Sequence, residues 1–250
     1  MVGASVRLDT ARRIRCGSDT GVVPIAETEQ AKWAVSLRVR EYPPGDWPDE
    51  DDERARWSEV DLEAALRGFS LDLCVADEDA RQRAAEGLGW LGDARAVSPL
   101  LRALGDPADA VRREAARALS DFHRLPEWTV EPLVSALSDA DSGVRTAAAA
   151  ALGDCDSDVA LDALVRALDD PARAVRCNAA RALEWFGCRG RATDRAIAKL
   201  SAMLDDEDPA VAYNAFWGLR GQGGSASDAR CSEWRWSERG QAAWASRLGG

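Results

Sequence analysis

The sequence predicts a mainly α-helical protein, an α-α superhelix in which similar pairs of helices stack one after another. The first observation is a repeat: the stretch 106–119, D-P-A-D-A-V-R-R-E-A-A-R-A-L, recurs in altered form at 139–152, 170–183 and 206–219. A fainter copy ends at Leu88. Equivalent Ala or Val positions, at 80, 111, 144, 175 and 211, are 31, 33, 31 and 36 residues apart. Repeats of this length are typical of stacked helical pairs.

The second observation is the helical pattern inside each repeat. In the second helix of a repeat, Val111, Ala115, Ala118 and Leu119 fall on one face, and the small alanines let neighbouring helices approach closely. An Asp precedes each second helix, and we expect its side chain to cap the helix. These residues are Asp106, Asp139, Asp170 and Asp206. The first helices are predicted around 97–104, 130–137, 161–168 and 196–204.

The pattern changes at both ends of the chain, which predicts four segments. Residues 1–48 are predicted to form a small β-containing segment, because apolar and polar residues alternate through 32–42. Residues 49–56 follow a proline-rich break and are predicted to form an acidic linker. The helical solenoid is expected over 57–220. Residues 221–250 begin with a Gly/Ser-rich run, which leaves a flexible tail and a short helix as alternatives.

Charge and composition exclude some classes of function. The formal net charge is −11, and 57–220 hold 19 basic and 29 acidic residues, a balance that disfavours a nucleic-acid partner. Lys32 and Lys199 are the only lysines, so the acidity also fits a halophilic protein or a GC-rich genome. No apolar run is long enough to span a membrane, and the first residues lack a signal-peptide core, so a cytoplasmic protein is expected.

These motifs resemble HEAT repeats, in particular the short type named after phycobilisome (bilin) lyases. The resemblance covers about 75–220 and depends on D-P-x-x-x-V-R-x-x-A-A-x-A-L at 106 and 170, and on L-G-x-L-G-D at 88–93. It implies that the second helices line a concave, ligand-facing surface. It also implies an inter-repeat ladder that stops at Ala212, where the motif has Arg. Its members would be Arg112, Arg145 and Arg176, paired with Asp106, Asp139 and Asp170 or their neighbours.

The sequence contains no pattern that indicates an enzyme. Deoxyhypusine hydroxylase, an enzyme of HEAT-like repeats, holds its metals with repeated His-Glu pairs, whereas this chain has one histidine, His123. Phosphate-binding loops, nucleophile elbows and clusters of metal ligands are absent from the sequence. The six cysteines form no C-x-x-C pair and are expected to be reduced. We therefore predict no catalytic residue, no cofactor and no metal.

The candidate binding residues occupy equivalent positions on the predicted concave face. Arginine and aromatic residues are enriched at protein interfaces, and the asparagines could bind a ligand backbone or bridge adjacent repeats. We predict a non-enzymatic protein–protein interaction scaffold whose partner and oligomeric state remain open. Ordinary surface residues, a DNA-binding or lesion-processing protein and a bilin-handling protein are the alternatives. The candidates are Arg113, Arg117, Asn178, Arg181, Tyr213, Asn214 and Trp217.

Overall fold

The computed structural model describes residues 59–191 and 193–248, and the chain divides into two compact units, 1–68 and 69–250. The described residues contain twelve α-helices and two short 3-10 helices, and no strand occurs among them. The second unit is an α-solenoid, as predicted. The helices are α1 Glu59–Asp72, α2 Glu78–Leu91, α3 Val97–Ala103, α4 Asp109–Ser120, α5 Val130–Ala136, α6 Ser142–Leu152, α7 Asp158–Ala167, α8 Arg173–Cys188, α9 Asp194–Met203, α10 Pro209–Gln222, α11 Ser225–Trp236 and α12 Glu238–Leu248.

From α3 onward, each odd-numbered helix pairs with the helix that follows it. The first helices α3 and α5 are short, and each begins directly after a 3-10 turn, Ala94–Ala96 and Glu127–Thr129. The even-numbered helices also pack against one another along the stack, more extensively than the odd-numbered helices do. Fully buried alanines between the second helices permit this close packing. They include Ala115, Ala116, Ala148, Ala149, Ala179, Ala180 and Ala215.

The second helices begin later than the sequence predicts, so the expected caps at Asp106, Asp139, Asp170 and Asp206 are wrong. Each of these carboxylates instead accepts a hydrogen bond from the backbone N–H two residues on, which closes a turn before the helix. The side-chain caps of α6 and α10 are Asp141 and Asp208. Because the turn uses one backbone donor for each of these four carboxylates, they can also accept hydrogen bonds from side chains of another repeat.

The C-terminal residues 221–248 form ordered helices in the structure. Helices α11 and α12 continue the stack, because α11 packs beside α9 and α12 packs on α10. The Trp234 side chain is only 2% exposed, and its indole N–H donates to the carbonyl of Leu204 at 2.8 Å. The flexible-tail alternative fails here because tryptophans spaced among charged residues bury one face of this last hairpin.

The β-containing segment predicted over 1–48 lies outside the described residues and is not borne out by the structure. The linker predicted over 49–56 also lies outside them and stays a prediction. The solenoid boundary predicted at 57 falls there as well. Within the described part of the chain, no helix is long and apolar enough to cross a membrane.

Candidate binding surface on the second helices

A ladder of ion pairs joins successive repeats beside the turns that precede the second helices. Arg112 binds Asp139 with two hydrogen bonds of 2.7 and 2.9 Å, and Arg145 binds Asp170 in the same way at 2.8 and 3.0 Å. Each arginine also donates to the carbonyl of the ladder aspartate of its own repeat, Asp106 or Asp139. Every rung therefore ties the turn of one repeat to the turn of the next.

The ladder has one rung more than the three predicted arginines provide, and this extra rung lies at its N-terminal end. Arg81 binds Asp106 at 2.7 and 2.9 Å, and Arg176 lies 3.4 Å from Asp206. Ala212 follows Val211 as Arg176 follows Val175, and it carries the ladder no further. The sequence contains a signal for Arg81, because this residue occupies the ladder position of the faint first copy. It follows Ala80 as Arg112 follows Val111.

The pKa values of these carboxylates reflect their partners. The hydrogen bond from Arg112, opposed by burial, lowers the pKa of Asp139. A neighbouring pair shows a stronger effect: the hydrogen bond from Arg113, again opposed by burial, lowers the pKa of Asp141 to about 2. The ionised carboxylates are therefore stabilised in the folded protein, and these residues serve structure.

Two predicted binding residues, Arg113 and Arg117, are exposed on α4 but already have partners. Arg113 binds Asp141 of the next repeat at 2.8 and 3.0 Å, so it forms a second connection between repeats. Arg117 binds Glu114 and Asp121, both on or next to its own helix. Exposed pairs of this kind are weak, and a ligand could exchange for them at small cost.

The two predicted asparagines hydrogen-bond within their own helices. Asn178 donates to the carbonyl of Ala174 at 3.2 Å, and Asn214 donates to that of Ala210 at 2.7 Å. Asn214 also hydrogen-bonds Cys177 of the preceding repeat, which supports the bridging alternative for this asparagine. Asn178 accepts a hydrogen bond from Arg181 at 2.8 Å and thereby orients that guanidinium.

The two predicted aromatic binding residues, Tyr213 and Trp217, pack inside the protein's own aromatic cluster. Trp244 of α12 lies 5.2 Å from Tyr213 and 6.1 Å from Trp217, measured between ring centroids. Phe216 contacts Trp234 at 5.2 Å in the same cluster. Tyr213 and Trp217 look like ligand contacts in the sequence, because the repeat pattern does not show that the C-terminal helices pack on α10. Their main role in the structure is to attach the last hairpin.

Close packing of α8 on α10 creates a constellation that the sequence analysis missed. A side chain added at Gly187 would lie 2.4 Å from the backbone of Gly221, so neither position has room for one. At this contact Glu184 of α8 lies against Gly221 of α10, and both Arg181 and Arg220 interact electrostatically with its carboxylate. Burial raises the pKa of Glu184, and the two arginines oppose that rise. Gly187 and Gly221 do not occupy equivalent positions in their repeats, so the repeat pattern gives no signal for this approach.

The described residues contain no group of side chains that could hold a metal ion. His123 is exposed in the turn after α4, and no group of three or more His, Cys, Asp or Glu side chains there could hold a metal ion. Burial raises the pKa of the described thiols Cys155, Cys177 and Cys231, the last to about 11, so these thiols are poor nucleophiles at neutral pH.

Two tryptophans are exposed at the edge where second helices end and first helices begin. Trp128 is 57% exposed and Trp185 is 56% exposed. The Trp185 side chain projects from the last turn of α8 into solvent.

Comparison with known proteins identifies the repeats. The family of HEAT repeats matches residues 72–127 and 129–225. An archaeal HEAT-like repeat protein from Thermococcus onnurineus NA1 is 14% identical with a TM-score of 0.54, covering 89% of this chain and 99% of its own. A designed armadillo repeat protein, solved with the peptide (KR)4, is 18% identical with a TM-score of 0.56, covering 79% and 98%. No curated protein matches.

Proposed function

Because this chain belongs to the family of HEAT-repeat proteins, we propose that it is a non-enzymatic scaffold that binds another protein through its second-helix face. This face comprises the solvent-facing side chains of α2, α4, α6, α8 and α10. The second helices pack more closely than the first helices, which makes this face the inner, concave side of a curved stack. Concave surfaces of solenoids are extended and suit a long protein segment.

The observation that carries the proposal is that side chains at the centre of this face are shorter than those on either side. Helix α6 presents only small side chains, the partly buried Thr146, Ala147 and Ala150. The equivalent positions on the flanking helices carry long side chains, among them Arg117 on α4 and Arg181 on α8. From these side-chain sizes we infer a shallow depression across the face at α6, with exposed guanidinium groups on both sides. Surfaces that combine a recess with arginine anchors are typical of protein interfaces.

The net negative charge of residues 57–220 is not spread evenly over the second-helix face. On α4, α8 and α10, exposed arginines balance the carboxylates, and α6 carries no ionisable residue among Thr146, Ala147 and Ala150. The acidic excess of 57–220 includes Asp156, Asp158 and Asp162, which lie on the turns and first helices instead. A protein partner can therefore approach the second helices without meeting the full negative charge.

The test fills the depression on α6 with arginine, the residue that α4 and α8 already carry at the equivalent position. Ala150→Arg places an arginine on α6 where α4 has Arg117 and α8 has Arg181, so the variant should fold normally. Ser135→Arg on α5 is the matched control, since the equivalent exposed residues on α3 and α7 are Arg102 and Arg166. Both variants add one positive charge to opposite faces of the same repeat.

Tagged wild-type protein and both variants are used to capture partners from the native host, with and without nuclease. We expect Ala150→Arg to reduce the captured protein by about tenfold or more, corresponding to about 1.4 kcal/mol, and Ser135→Arg to retain it. Equal capture by folded Ala150→Arg contradicts the proposed face. Loss of the captured protein after nuclease treatment indicates a nucleic-acid partner instead.

A further inference from the structure

We propose that Arg181 and Arg220 form an anion-recognition site on the second-helix face, and that it binds a carboxylate side chain of an acidic segment in the partner protein. The inference depends on the proposed function and adds the chemistry of the bound segment. The two guanidinium groups have N–H donors that bind no other residue in the described part of the chain. Arg181 donates one hydrogen bond to Asn178 and Arg220 lies over the Trp217 ring, so most of their N–H groups remain available.

These two arginines differ from the other exposed arginines of the same face. Arg113 and Arg117 each bind carboxylates at hydrogen-bonding distance, and Arg173 lies 3.2 Å from Asp208. In contrast, the structure records no ion pair for Arg181 or Arg220 within the described residues; only the longer-range attraction of Glu184 acts on both. The two guanidinium groups therefore have one nearby carboxylate in common, without a hydrogen-bonded ion pair to it.

Both guanidinium groups are held in place before any ligand arrives. Asn178 accepts from Arg181 at 2.8 Å, and the Arg220 guanidinium lies 5.3 Å from the centroid of the Trp217 ring. The glycine contact between α8 and α10 fixes the spacing of the two helices. Planar guanidinium groups bind carboxylates with two parallel hydrogen bonds, and orientation in advance reduces the entropy lost on binding.

The surroundings favour an acidic peptide over a nucleic acid. A polyphosphate that extended from this site along the second helices would reach the exposed carboxylates of Glu78 and Asp79 on α2. DNA carries a charge about every 1.7 Å and cannot avoid them. A peptide can place its acidic residues at α8 and α10 only. The designed armadillo neighbour was solved with a basic peptide, (KR)4; the arginine pair predicts the opposite preference here.

The test measures binding of fluorescent peptides by anisotropy to the full-length protein. The probes are capped (ES)4 as the acidic peptide, (KR)4 as the basic peptide and a single-stranded DNA oligonucleotide. Arg181→Glu/Arg220→Glu is compared with Arg102→Glu/Arg166→Glu, which makes the same change in net charge on exposed first-helix arginines. Circular dichroism verifies folding, and Arg181→Lys/Arg220→Lys keeps the charge but removes the two-pronged geometry.

We expect (ES)4 to bind more tightly than (KR)4, and to lose about tenfold or more in affinity in the Arg181→Glu/Arg220→Glu variant. The first-helix variant should change the affinity by less than about twofold, and the lysine variant should fall between. Absence of (ES)4 binding, equal loss in both glutamate variants, or tighter binding of (KR)4 or DNA overturns the inference.

The failure of this inference can be distinguished from failure of the proposed function. If Ala150→Arg abolishes capture of the native partner while Arg181→Glu/Arg220→Glu retains it, the face is correct and the arginine pair is not its anchor. If neither variant affects capture and Ser135→Arg does, both proposals are wrong.

Discussion

The middle of the solenoid and its C-terminal end are joined by different chemistry. Between α2 and α10, consecutive repeats share Arg-Asp rungs such as Arg112–Asp139 and Arg145–Asp170. Between α10 and α12, where Ala212 replaces the motif arginine, the aromatic cluster joins the helices, with Trp244 among Tyr213, Phe216 and Trp217. The middle of the stack thus adds charged rungs to the packing of its buried alanines, whereas aromatic packing is the main connection at the C-terminal end.

The difference shows what a repeat motif specifies. The ladder residues lie at turns and are repeated because each turn must meet the same turn of the next repeat. The last hairpin packs on α10 without a rung, because Ala212 stands where the motif has arginine, and it buries apolar surface there instead. The middle should therefore respond to pH, whereas the C-terminal end should respond mainly to loss of side-chain volume.

The largest expected effect is at the C-terminal end. Trp234→Ala removes a side chain that is 2% exposed and packs on Phe216, together with its hydrogen bond to Leu204. We expect the free energy of unfolding of the last hairpin to fall by about 3–5 kcal/mol, from lost burial and the cavity left behind. Hydrogen exchange should show α11 and α12 opening while α4 and α6 stay protected.

The matched control is Trp236→Ala, two residues further along the same helix. Trp236 is 74% exposed and contacts mainly Arg235, so its removal should change stability by less than about 0.5 kcal/mol. Equal destabilisation by the two substitutions would contradict the aromatic attachment of the last hairpin.

The sequence predicted the repeats well because each depends on local signals. The packing residues Val111 and Ala115 and the ladder arginines follow a period that can be counted. The aromatic cluster could not be predicted in this way, since Trp244 reaches Tyr213 only after α12 folds back onto α10. Likewise, Arg220 of α10 and Arg181 of α8 both act on Glu184, and this depends on the close approach of the two helices at Gly187 and Gly221. The candidate site therefore depends on contacts between repeats, which a count along the chain does not contain.

An intermediate effect is expected in the middle of the stack. Arg112→Ala leaves Asp139 without its main donor and removes the hydrogen bond to the carbonyl of Asp106. Because the pair is largely buried, unfolding in urea should show a loss of about 2–3 kcal/mol. Arg83→Ala is the control: this exposed arginine lies 3.9 Å from Asp77, and its removal should have almost no effect. Similar losses for both would show that the ladder contributes no more than ordinary surface pairs.

The smallest expected effect is a pH-dependent change in the free energy of unfolding in the middle of the solenoid. Asp141→Asn keeps an acceptor that can cap α6 but removes the charge that pairs with Arg113. Since Arg113 is about half exposed, we expect a loss of about 1 kcal/mol at pH 7. The folded pKa of about 2 lies below the ordinary 3.8, so the stabilisation is present above pH 4 and is lost as the pH falls toward 2.

Urea unfolding is therefore measured at several pH values from 5 down to 3. The difference in unfolding free energy between wild type and Asp141→Asn should become smaller as the pH falls. Asp109→Asn provides the comparison, because this exposed carboxylate lies 3.4 Å from the same arginine and should change stability by less than about 0.5 kcal/mol. A difference that stays constant with pH would mean that the Asp141 side chain acts as a helix cap alone. The connection between α4 and α6 would then depend on the ladder and on the buried alanines, without a contribution from the charge of Arg113.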